Sequence, residues 1–324
     1  MLKVGVIGTG HLGRIHTMLW KKNEEAELSG IFEANPERAE EISKEFDIKA
    51  YPTLDELIEN CDAVTISAPT SLHYEIAEKV MKSGKHCLIE KPITATNEEA
   101  SKLIQLAEEN NLIVQVGHVE RFNPAIAAIQ ANEIKPLFIE AHRLSQFRPR
   151  AIDVSVIHDL MIHDIDIVLA LVGSKVSKID ANGVAVLTDT PDICNARITF
   201  ENGAVANLTA SRISATPMRK MRVFQKDAYI SIDFGKPGVE IFRLYDEGQA
   251  PESENPTTML GSIDAGLKNR NIYYEKPPIP EINAIMEEQK AFVRSIQNND
   301  PVPVTARDAA EALRIAEVIS EMIK

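Results

Sequence analysis

The stretch HDLMIHDID, which starts at His158, places two histidines and three aspartates within nine positions. On a helix, Asp159, His163 and Asp166 would lie at i, i+4 and i+7 and would therefore share one face. His158 and Asp164 would point elsewhere. A histidine beside one carboxylate is the minimum arrangement for general base catalysis, because the carboxylate fixes the imidazole tautomer and stabilises the imidazolium. The spacing thus predicts part of an acid–base site.

The same cluster could instead form a metal site or the solvated face of a helix. A metal site needs at least three convergent ligands, and Asp159 and His163 supply only two. The three cysteines, Cys61, Cys87 and Cys194, lie far apart in the sequence, so they indicate neither a zinc site nor a disulfide framework. We therefore expect no metal, and the acid–base function is favoured over a merely solvated face.

A glycine-rich stretch, GTGHLG, follows a predicted strand and opens a predicted helix. Gly8 permits a tight turn, Gly10 lets the backbone approach a pyrophosphate, and Gly13 allows close packing of helix against strand. Such a loop binds the phosphates of a dinucleotide. The predicted cofactor contacts of this loop are Gly8, Thr9, Gly10, His11, Leu12 and Gly13.

Glu33 ends the second predicted strand, 20 residues after Gly13. A carboxylate at that position hydrogen-bonds a ribose diol and repels a 2′-phosphate, which favours NAD over NADP. The alternative is a glycine turn with an ordinary surface glutamate. Arg38 is near enough in the sequence to soften the preference for NAD.

Two further segments end at the same carboxyl edge of the predicted sheet, where ligands bind in such folds. The loop SAPTSLHYE places Thr70 and His73 there, and both could contact the cofactor, although a single histidine at a helix start is more often structural. The segment IEKPI places Lys91 there, with a proline after it that could be cis. The Lys91 ammonium could donate to a substrate hydroxyl or carbonyl, and desolvation near a cationic nicotinamide would lower its pKa.

The elements that must position these residues alternate between short apolar strands and amphipathic helices up to about residue 120. This alternation predicts a doubly wound parallel sheet with helices on both faces. The predicted strands are 2–8, 27–33, 63–69, 86–90 and 112–117. The predicted helices are 11–22, 36–46, 54–60, 71–84 and 97–111.

The remainder of the chain begins with one predicted helix, 157–173, and continues with β-rich segments that predict an antiparallel sheet. Hairpin turns are expected at 201–204 and 225–228, and a long loop region at 246–280. The predicted strands are 178–187, 193–200, 204–212, 221–234 and 239–245, and the predicted terminal helices are 281–298 and 306–323.

The predicted fold is therefore an α/β Rossmann domain at 1–120, followed by an α+β domain at 121–324 with a large, open, mainly antiparallel sheet. The second domain would bind substrate and support oligomerisation. The C-terminal helices could pack back on the first domain. An open sheet face would expose apolar strand residues, so we expect a homodimer or a homotetramer.

Composition excludes several classes of function. The 324 residues are 44% apolar and 26% charged, which is typical of a globular protein rather than a disordered one. The net charge of −13 argues against a nucleic-acid partner, because phosphate binding needs a dense basic surface. The apolar runs are too short to span a membrane, and the strand-like N-terminus leaves no room for a signal peptide. A reducing cytoplasm is the expected location.

Together, GTGHLG, APTSLH, EKPI, VGHVERFNP and the spacing of Asp159 and His163 resemble the Gfo/Idh/MocA oxidoreductases over nearly the whole chain. The EKP motif after a Rossmann fingerprint is the most specific of these elements. The resemblance implies an NAD-dependent dehydrogenase in which Lys91 is catalytic, with Asp159 and His163 completing the acid–base group. Lys91 and its two neighbours, Glu90 and Pro92, are also expected to contact the cofactor. The lead-in DVSVIHD departs from the glycines common in this family.

Two segments, VGHVERFNP and RLSQFRPRAIDVSVIHDLMIHDID, look like the branch of the family that oxidises nucleotide sugars, the UDP-N-acetylglucosamine 3-dehydrogenases. This resemblance implies oxidation at C3 to a 3-keto sugar. Arginines in these segments suit bidentate phosphate recognition, although each could instead form a surface salt bridge. The arginines are Arg121, Arg143, Arg148 and Arg150. His118 and Asn123 could hydrogen-bond sugar hydroxyls.

Two alternatives to this function remain. One is an inositol or free-sugar dehydrogenase of the same family, which would not need the arginines. The other is a non-catalytic, NAD-binding regulatory protein. The presence of Lys91, Asp159 and His163 argues against the second, but a fold alone does not establish chemistry.

Overall fold

The computed structural model describes residues 1–130, 132–147, 154–252, 255–264 and 269–323. The chain divides into two compact units, one formed by 1–122 with 282–314 and the other by 123–281 with 315–324. The sequence predicts a boundary at 120/121, and the first break between the units follows residue 122. The terminal segment 282–314 belongs to the first unit. No helix in the described ranges is both long and apolar enough to cross a membrane.

The first unit contains a five-stranded parallel sheet in the order β2-β1-β3-β4-β5. Its strands are mainly apolar, as expected where helices cover both faces. Val4 and Val6 of β1 and Ile89 of β4 have no exposed surface. The strands are β1 (Leu2–Ile7), β2 (Ala26–Phe32), β3 (Ala63–Ile66), β4 (His86–Glu90) and β5 (Val114–Gly117). The predicted parallel sheet is confirmed.

Local sequence signals begin the helices of this unit. The Asn35 side chain caps one helix by accepting from the backbone N–H groups of Glu37 and Arg38. Thr96 and Glu99 form a reciprocal capping box at another. The α-helices within residues 1–122 are α1 (His11–Trp20), α2 (Pro36–Phe46), α3 (Leu54–Glu59), α4 (His73–Lys82) and α5 (Asn97–Glu109). Short 3₁₀ turns follow β3 and β5, at Thr70–Leu72 and Val119–Phe122.

The second unit contains a nine-stranded sheet in the order β13-β14-β12-β11-β10-β6-β9-β8-β7. All neighbouring pairs are antiparallel except β6 and β9, which are parallel. The strands are β6 (Phe138–Leu144), β7 (Val176–Val184), β8 (Ile193–Phe200), β9 (Val205–Ser211), β10 (Met218–Phe224), β11 (Ala228–Asp233), β12 (Gly238–Asp246), β13 (Thr257–Asp264) and β14 (Asn269–Glu275). The mainly antiparallel sheet is confirmed, and so are the two hairpins.

The expectation of a long loop over 246–280 was wrong, because this segment contains β13 and β14 at one edge of the sheet. Most of the side chains of β13 are exposed, so the strand lacks the alternating buried residues that make a strand visible in a sequence. Backbone pairing with β14 defines β13 as a strand instead. Strand β6 (Phe138–Leu144) was likewise not predicted from the sequence.

The helix predicted at 157–173 has two parts, a π-helical turn at Ile157–Met161 and then α7 (Ile162–Val172). A π turn closes i→i+5 hydrogen bonds and is therefore wider than an α turn. The wider turn places Ile157 on the same side as both Met161 and Ile162, and all three are fully buried. The remaining helices are α6 (Pro124–Ala127), α8 (Ala284–Gln297) and α9 (Ala306–Met322).

Candidate functional site

The loop between β1 and α1 has the backbone geometry of a phosphate cradle. Gly8 has a φ of +80°, which a residue with a side chain rarely adopts. A Cβ on Gly13 would lie 1.9 Å from the carbonyl oxygen of Gly8, so the helix can approach the loop this closely only without a side chain. A Cβ on Gly10 would meet no atom within 4 Å. The backbone at Gly10 therefore borders open space, which fits the pyrophosphate of a dinucleotide.

Glu33 lies beside this loop and is held there by hydrogen bonds. Its Oε2 accepts from the Thr9 backbone N–H at 2.7 Å and from the Thr9 hydroxyl at 3.0 Å, and its Oε1 accepts from the Asn35 N–H at 3.0 Å. Burial opposes ionisation of Glu33, but these hydrogen bonds outweigh it and lower its pKa. The carboxylate is thus ionised and fixed where a ribose diol would bind.

Arg38 also contacts the loop, through a hydrogen bond of 3.1 Å from its Nε to the Thr9 carbonyl oxygen. Its Nη1 is 2.7 Å from Glu41 Oε2. Part of the Arg38 charge is therefore already compensated by a neighbouring carboxylate.

The loops after β3 and β4 are joined by His73. This residue is 1% exposed, with its Nδ1 2.9 Å from the Pro92 carbonyl oxygen and its Nε2 2.8 Å from the Ala68 carbonyl oxygen. Thr70, at the start of the 3₁₀ turn, is half-buried. The peptide bond between Lys91 and Pro92 is cis. Contacts of Thr70 and His73 with the cofactor stay predictions.

Lys91 follows the last residue of β4, at the same carboxyl edge as the glycine loop, and its side chain is half-buried. Its backbone N–H donates to Glu90 Oε2 at 3.2 Å. Glu90 is only 9% exposed, and its Oε1 is 2.9 Å from His16 Nε2. Hydrogen bonds within the first unit therefore hold the residue next to Lys91 in place.

Sequence reasoning missed the residues around Glu90. His16 occupies the buried face of α1, and Glu288 and Gln289 occupy the buried face of α8. A polar residue at a core-facing position of an amphipathic helix was the available signal. For Glu288 and Gln289, the neighbouring buried residues Phe292 and Val293 indicate the same face.

The segment after β5 contains three of the residues predicted to bind substrate. His118 is 1% exposed, and Arg121 is half-buried in the 3₁₀ turn. Asn123 caps α6, with its Oδ1 accepting from the Ala125 N–H at 3.0 Å and its Nδ2 donating to the Phe234 carbonyl oxygen at 3.3 Å. Arg148 and Arg150 lie outside the described residues. These assignments stay predictions.

In the second unit, Asp159 lies in the π turn, and His163 lies at the start of α7. Both side chains are half-buried, whereas Asp166, predicted on the same face, is 1% exposed. The backbone N–H of Asp159 donates to the Ser155 carbonyl oxygen at 3.0 Å. Two partly accessible acid–base groups thus stand one turn apart on a helix that begins with a widened turn.

The expectation that Arg143 adds positive charge for phosphate binding was wrong. Arg143 is 3% exposed and forms a bidentate pair with Asp164, with Nε–Oδ2 and Nη2–Oδ1 distances of 3.0 and 2.8 Å. A buried arginine needs such a partner, because an uncompensated charge there is costly. The pair joins β6 to α7, the helix that carries His163.

A second buried arginine, Arg212, anchors the segment that precedes the π turn. It donates to the Val154 carbonyl oxygen at 2.7 Å and to Asp192 Oδ1 at 2.8 Å. Burial opposes ionisation of Asp192, but backbone hydrogen bonds from 186–188 and the contact with Arg212 lower its pKa well below the usual range. The sequence carried no signal for this anchor.

Comparisons with known proteins agree with this geometry. The model of the GFO_IDH_MocA oxidoreductase family, NAD-binding Rossmann fold, matches residues 2–118, and that of the GFO/IDH/MocA C-terminal domain matches residues 130–231. The UDP-N-acetylglucosamine 3-dehydrogenase of Acidithiobacillus ferrooxidans is 47% identical over 234 residues, which are 72% of this chain and 74% of that protein. A solved structure of that enzyme has a TM-score of 0.88 at 37% identity, covering 99% of this chain and 97% of that chain.

A second relative, the scyllo-inositol 2-dehydrogenase (NAD(+)) of Bacillus subtilis, is 31% identical over 232 residues, which are 66% of this chain and 68% of that protein. The resemblance drawn from the motifs, the two-part fold and the NAD cofactor are thereby confirmed. The glycine cradle and the ionised Glu33 agree with the matches to both family models. The chain therefore belongs to the GFO/IDH/MocA oxidoreductase family and is an NAD-binding dehydrogenase that acts on CH–OH groups.

Proposed function

We propose that this protein oxidises the C3 hydroxyl of UDP-N-acetylglucosamine, or of a related UDP-amino sugar, to the 3-keto sugar with NAD. The observation that carries the proposal is the similarity to a UDP-N-acetylglucosamine 3-dehydrogenase, which extends over 99% of the chain in the structural comparison. The identity of 47% in the aligned sequence supports the same substrate class.

The acid–base residues of the proposed reaction are Lys91, Asp159 and His163. NAD, when bound, supplies the hydride acceptor. His163 takes the proton of the C3 hydroxyl, and Asp159 orients its imidazole and stabilises the imidazolium. Lys91 donates a hydrogen bond to the same oxygen as it becomes a carbonyl. The substrate loses one hydride from carbon and one proton from oxygen, so the products are the ketone, NADH and a proton.

Recognition of the nucleotide sugar is assigned to residues predicted from the sequence. Arg121, Arg148 and Arg150 are proposed to bind the diphosphate, because guanidinium groups pair with phosphate in a bidentate manner. His118 and Asn123 are proposed to hydrogen-bond sugar hydroxyls. The −13 net charge of the protein makes such local positive charge necessary for an anionic substrate.

The decisive experiment is a substrate panel followed by NADH absorbance. It compares UDP-N-acetylglucosamine, UDP-N-acetylgalactosamine, UDP-glucose, free N-acetylglucosamine, myo-inositol and scyllo-inositol. We expect turnover with UDP-N-acetylglucosamine and a loss of activity when the UDP group is removed. Product analysis by NMR should place the new carbonyl at C3.

An inositol dehydrogenase is the second candidate, and the 31% identity to a scyllo-inositol 2-dehydrogenase favours it over other sugars. It predicts turnover of free inositol that does not depend on a nucleotide. A protein that binds NAD and reduces it with no compound in the panel would instead support the regulatory alternative. The ratio of kcat/KM for UDP-N-acetylglucosamine to that for free inositol decides between the two enzymatic candidates.

The discrimination between NAD and NADP is expected to depend on Glu33. Replacing Glu33 by glutamine removes the charge that repels a 2′-phosphate, so the preference for NAD should fall by about tenfold or more, which is about 1.4 kcal/mol. The measurement is the ratio of kcat/KM for the two cofactors. Glu37→Gln, at an exposed position four residues later, is the matched control. An unchanged ratio in Glu33→Gln would contradict the assignment.

Homo-oligomerisation is proposed to occur through a row of aromatic rings on the second sheet. The rings of Phe138, Phe224, Tyr229, Phe242 and Tyr274 follow one another across five strands, with centroids 5.0 to 5.8 Å apart. The residues that alternate with them, such as Val223, Ile230 and Ile241, are fully buried on the opposite face. An apolar row of this length on the outer face is a feature of association surfaces.

Phe224→Glu should therefore shift the protein to the monomer, because it places a charge between two rings of the aromatic row. Analytical ultracentrifugation measures the change. Lys236→Glu, in an exposed turn of the same unit, is the control and should leave the assembly intact. A wild-type protein that sediments as a monomer would refute this proposal without affecting the catalytic one.

A further inference from the structure

A buried group of ionisable side chains lies next to Lys91 within the first unit. It consists of His16 from α1, Glu90 from β4 and Glu288 from α8, with Gln289 beside them. His16, Glu288 and Gln289 have no exposed surface, and Glu90 is 9% exposed. One nitrogen or oxygen atom of each ionisable side chain lies within 4.8 Å of the others. The proposed reaction assigns no role to His16 or Glu288.

Gln289 determines which nitrogen of His16 carries the proton. The Gln289 Nε2 atom is 3.1 Å from the His16 carbonyl oxygen and 3.2 Å from His16 Nδ1. A carbonyl oxygen only accepts, so the amide must present its NH₂ group to His16. The same NH₂ group donates to Nδ1, which is therefore unprotonated. The proton of the neutral ring is on Nε2, which donates to Glu90 Oε1 at 2.9 Å.

The two hydrogen bonds to Glu90 favour its ionised form. Oε1 accepts from His16, and Oε2 accepts from the Lys91 backbone N–H at 3.2 Å. Burial opposes ionisation, but the contact with His16 and the charge of Lys91 outweigh it and lower the pKa of Glu90. Glu90 therefore holds a negative charge beside the catalytic lysine.

Glu288 is in the opposite situation. Within the described part of the chain, neither of its carboxyl oxygens has a hydrogen-bond partner. Complete burial, and then the nearby charge of Glu90, raise the pKa of Glu288 well above its usual range. A second negative charge in the same interior space would have nothing to compensate it, whereas a protonated carboxyl can donate to Glu90 after a small shift.

We infer that Glu288 is a protonated carboxylic acid that shares its proton with Glu90, so that the pair holds one negative charge that keeps Lys91 in its ammonium form. Glu288 and His16 are thus positioning residues, which act on the reaction through Glu90 and Lys91. The link to catalysis rests on the proposed function of Lys91. The shared proton itself does not depend on any substrate.

Other charged groups near Glu288 must be separated from it in a test. α8 packs against α1 and against the 3₁₀ turn Val119–Phe122. His16 faces the site from α1, and the turn carries Glu120 and Arg121. On α8 itself, Glu287 and Lys290 pair with each other at 3.0 Å on the more exposed side. A change of stability with pH is therefore attributed to Glu288 only if substituting Glu288 removes it. The pH at which the change occurs does not identify the residue.

The first experiment measures the Tm of wild type and Glu288→Gln as a function of pH. Glutamine imitates the protonated acid but cannot ionise. Because the folded-state pKa of Glu288 is raised, the folded protein retains a proton that the unfolded chain releases, so wild-type stability falls as pH rises between the two pKa values. The Tm of the variant minus that of wild type should increase by roughly 2–4 °C per pH unit above pH 5.

Glu24→Gln is the matched control for this experiment, because Glu24 is an exposed carboxylate of the same unit. Its Tm difference from wild type should stay constant over the same pH range. A constant difference for Glu288→Gln as well would overturn the inference.

Infrared spectroscopy of the wild type keeps the inference testable if Glu288→Gln does not fold. A protonated carboxyl has a C=O stretching band at higher frequency than a carboxylate, and we expect this band at pH 7. Its absence would overturn the inference. So would a stoichiometric metal ion in the purified wild type, detected by plasma mass spectrometry, since a cation could take the place of the shared proton among His16, Glu90 and Glu288.

The effect on Lys91 is measured in the pH profile of kcat/KM. Glu90→Gln removes the charge that favours the ammonium, so the alkaline limb should move to lower pH by about one unit or more. A purely structural defect would lower the rate at every pH without moving the limb, and that result would overturn the effect on Lys91. The assay uses whichever substrate the panel identifies. The melting and infrared experiments need no turnover, so failure of the proposed function is distinguishable from failure of this inference.

Discussion

Lys91→Ala should lower kcat by about 10²–10⁴-fold, because positioned acid–base and hydrogen-bonding groups contribute that much to proton-coupled steps. The side chain leaves the end of β4 from a strand whose backbone is buried and paired on both sides, so its removal should not disturb the sheet. NAD affinity, measured by calorimetry or fluorescence titration, should stay within a fewfold of wild type. His163→Ala should lower kcat to a similar extent.

Lys85→Ala is the control for this prediction. Lys85 directly precedes β4, at the amino end of the same strand, so it tests the loss of a lysine away from the cofactor edge. Its turnover should remain near that of wild type. Normal turnover in both Lys91→Ala and His163→Ala would exclude the assigned acid–base group, whereas loss of NAD binding in Lys91→Ala would make the residue a cofactor ligand instead.

Arg143→Met should destabilise the protein by about 3–5 kcal/mol, because it leaves the carboxylate of Asp164 buried without its partner. Both side chains are nearly inaccessible, at 3% and 5% exposed, and are joined by two hydrogen bonds. Denaturant unfolding monitored by circular dichroism measures the loss. The double variant Arg143→Met with Asp164→Leu should recover much of the stability, since neither position then carries an unpaired buried charge.

Arg222→Met provides the comparison, because Arg222 pairs with Glu140 at 2.9 Å between β10 and β6, where both side chains are substantially exposed. Its loss should cost less than about 1 kcal/mol. Equal costs for Arg143→Met and Arg222→Met would mean that burial does not control the strength of these pairs. A double variant no more stable than Arg143→Met would contradict the role given to an unpaired Asp164.

The sequence by itself determined the parts of this protein that depend on local patterns. The glycines of GTGHLG, the glutamate 20 residues later and the apolar strand runs define the Rossmann unit, because a strand–turn–helix phosphate loop depends on residues close in sequence. The short EKP motif and the i, i+4 spacing also made Lys91, Asp159 and His163 the candidates for an acid–base group, and that role stays a prediction. The hairpins at 201–204 and 225–228 were recognised from their turns.

The pairing of strands that are distant in the sequence could not be predicted from the sequence. The segment that forms β13 and β14 resembles a loop because neither strand alternates between buried and exposed residues. β13 is an edge strand with mostly exposed side chains, and most residues of β14 are only partly buried, so backbone pairing with neighbouring strands defines both. The π turn is invisible in the sequence for a related reason. A helix-like pattern does not reveal whether a turn contains one more residue, and in the fold the widened turn leaves Ile157, Met161 and Ile162 all buried.

The pairing of charged side chains was also decided by tertiary structure alone. The sequence suggested that Arg143 is a phosphate ligand, but in the fold it pairs with Asp164. Because both side chains are buried, either charge without the other would be strongly destabilising. His16, Glu90 and Glu288 are separated by up to 272 positions, and only the packing of α1, β4 and α8 brings them together. A linear sequence specifies which groups can carry charge or a proton. Which of them meet in a place where water cannot compensate the charge depends on the folded chain.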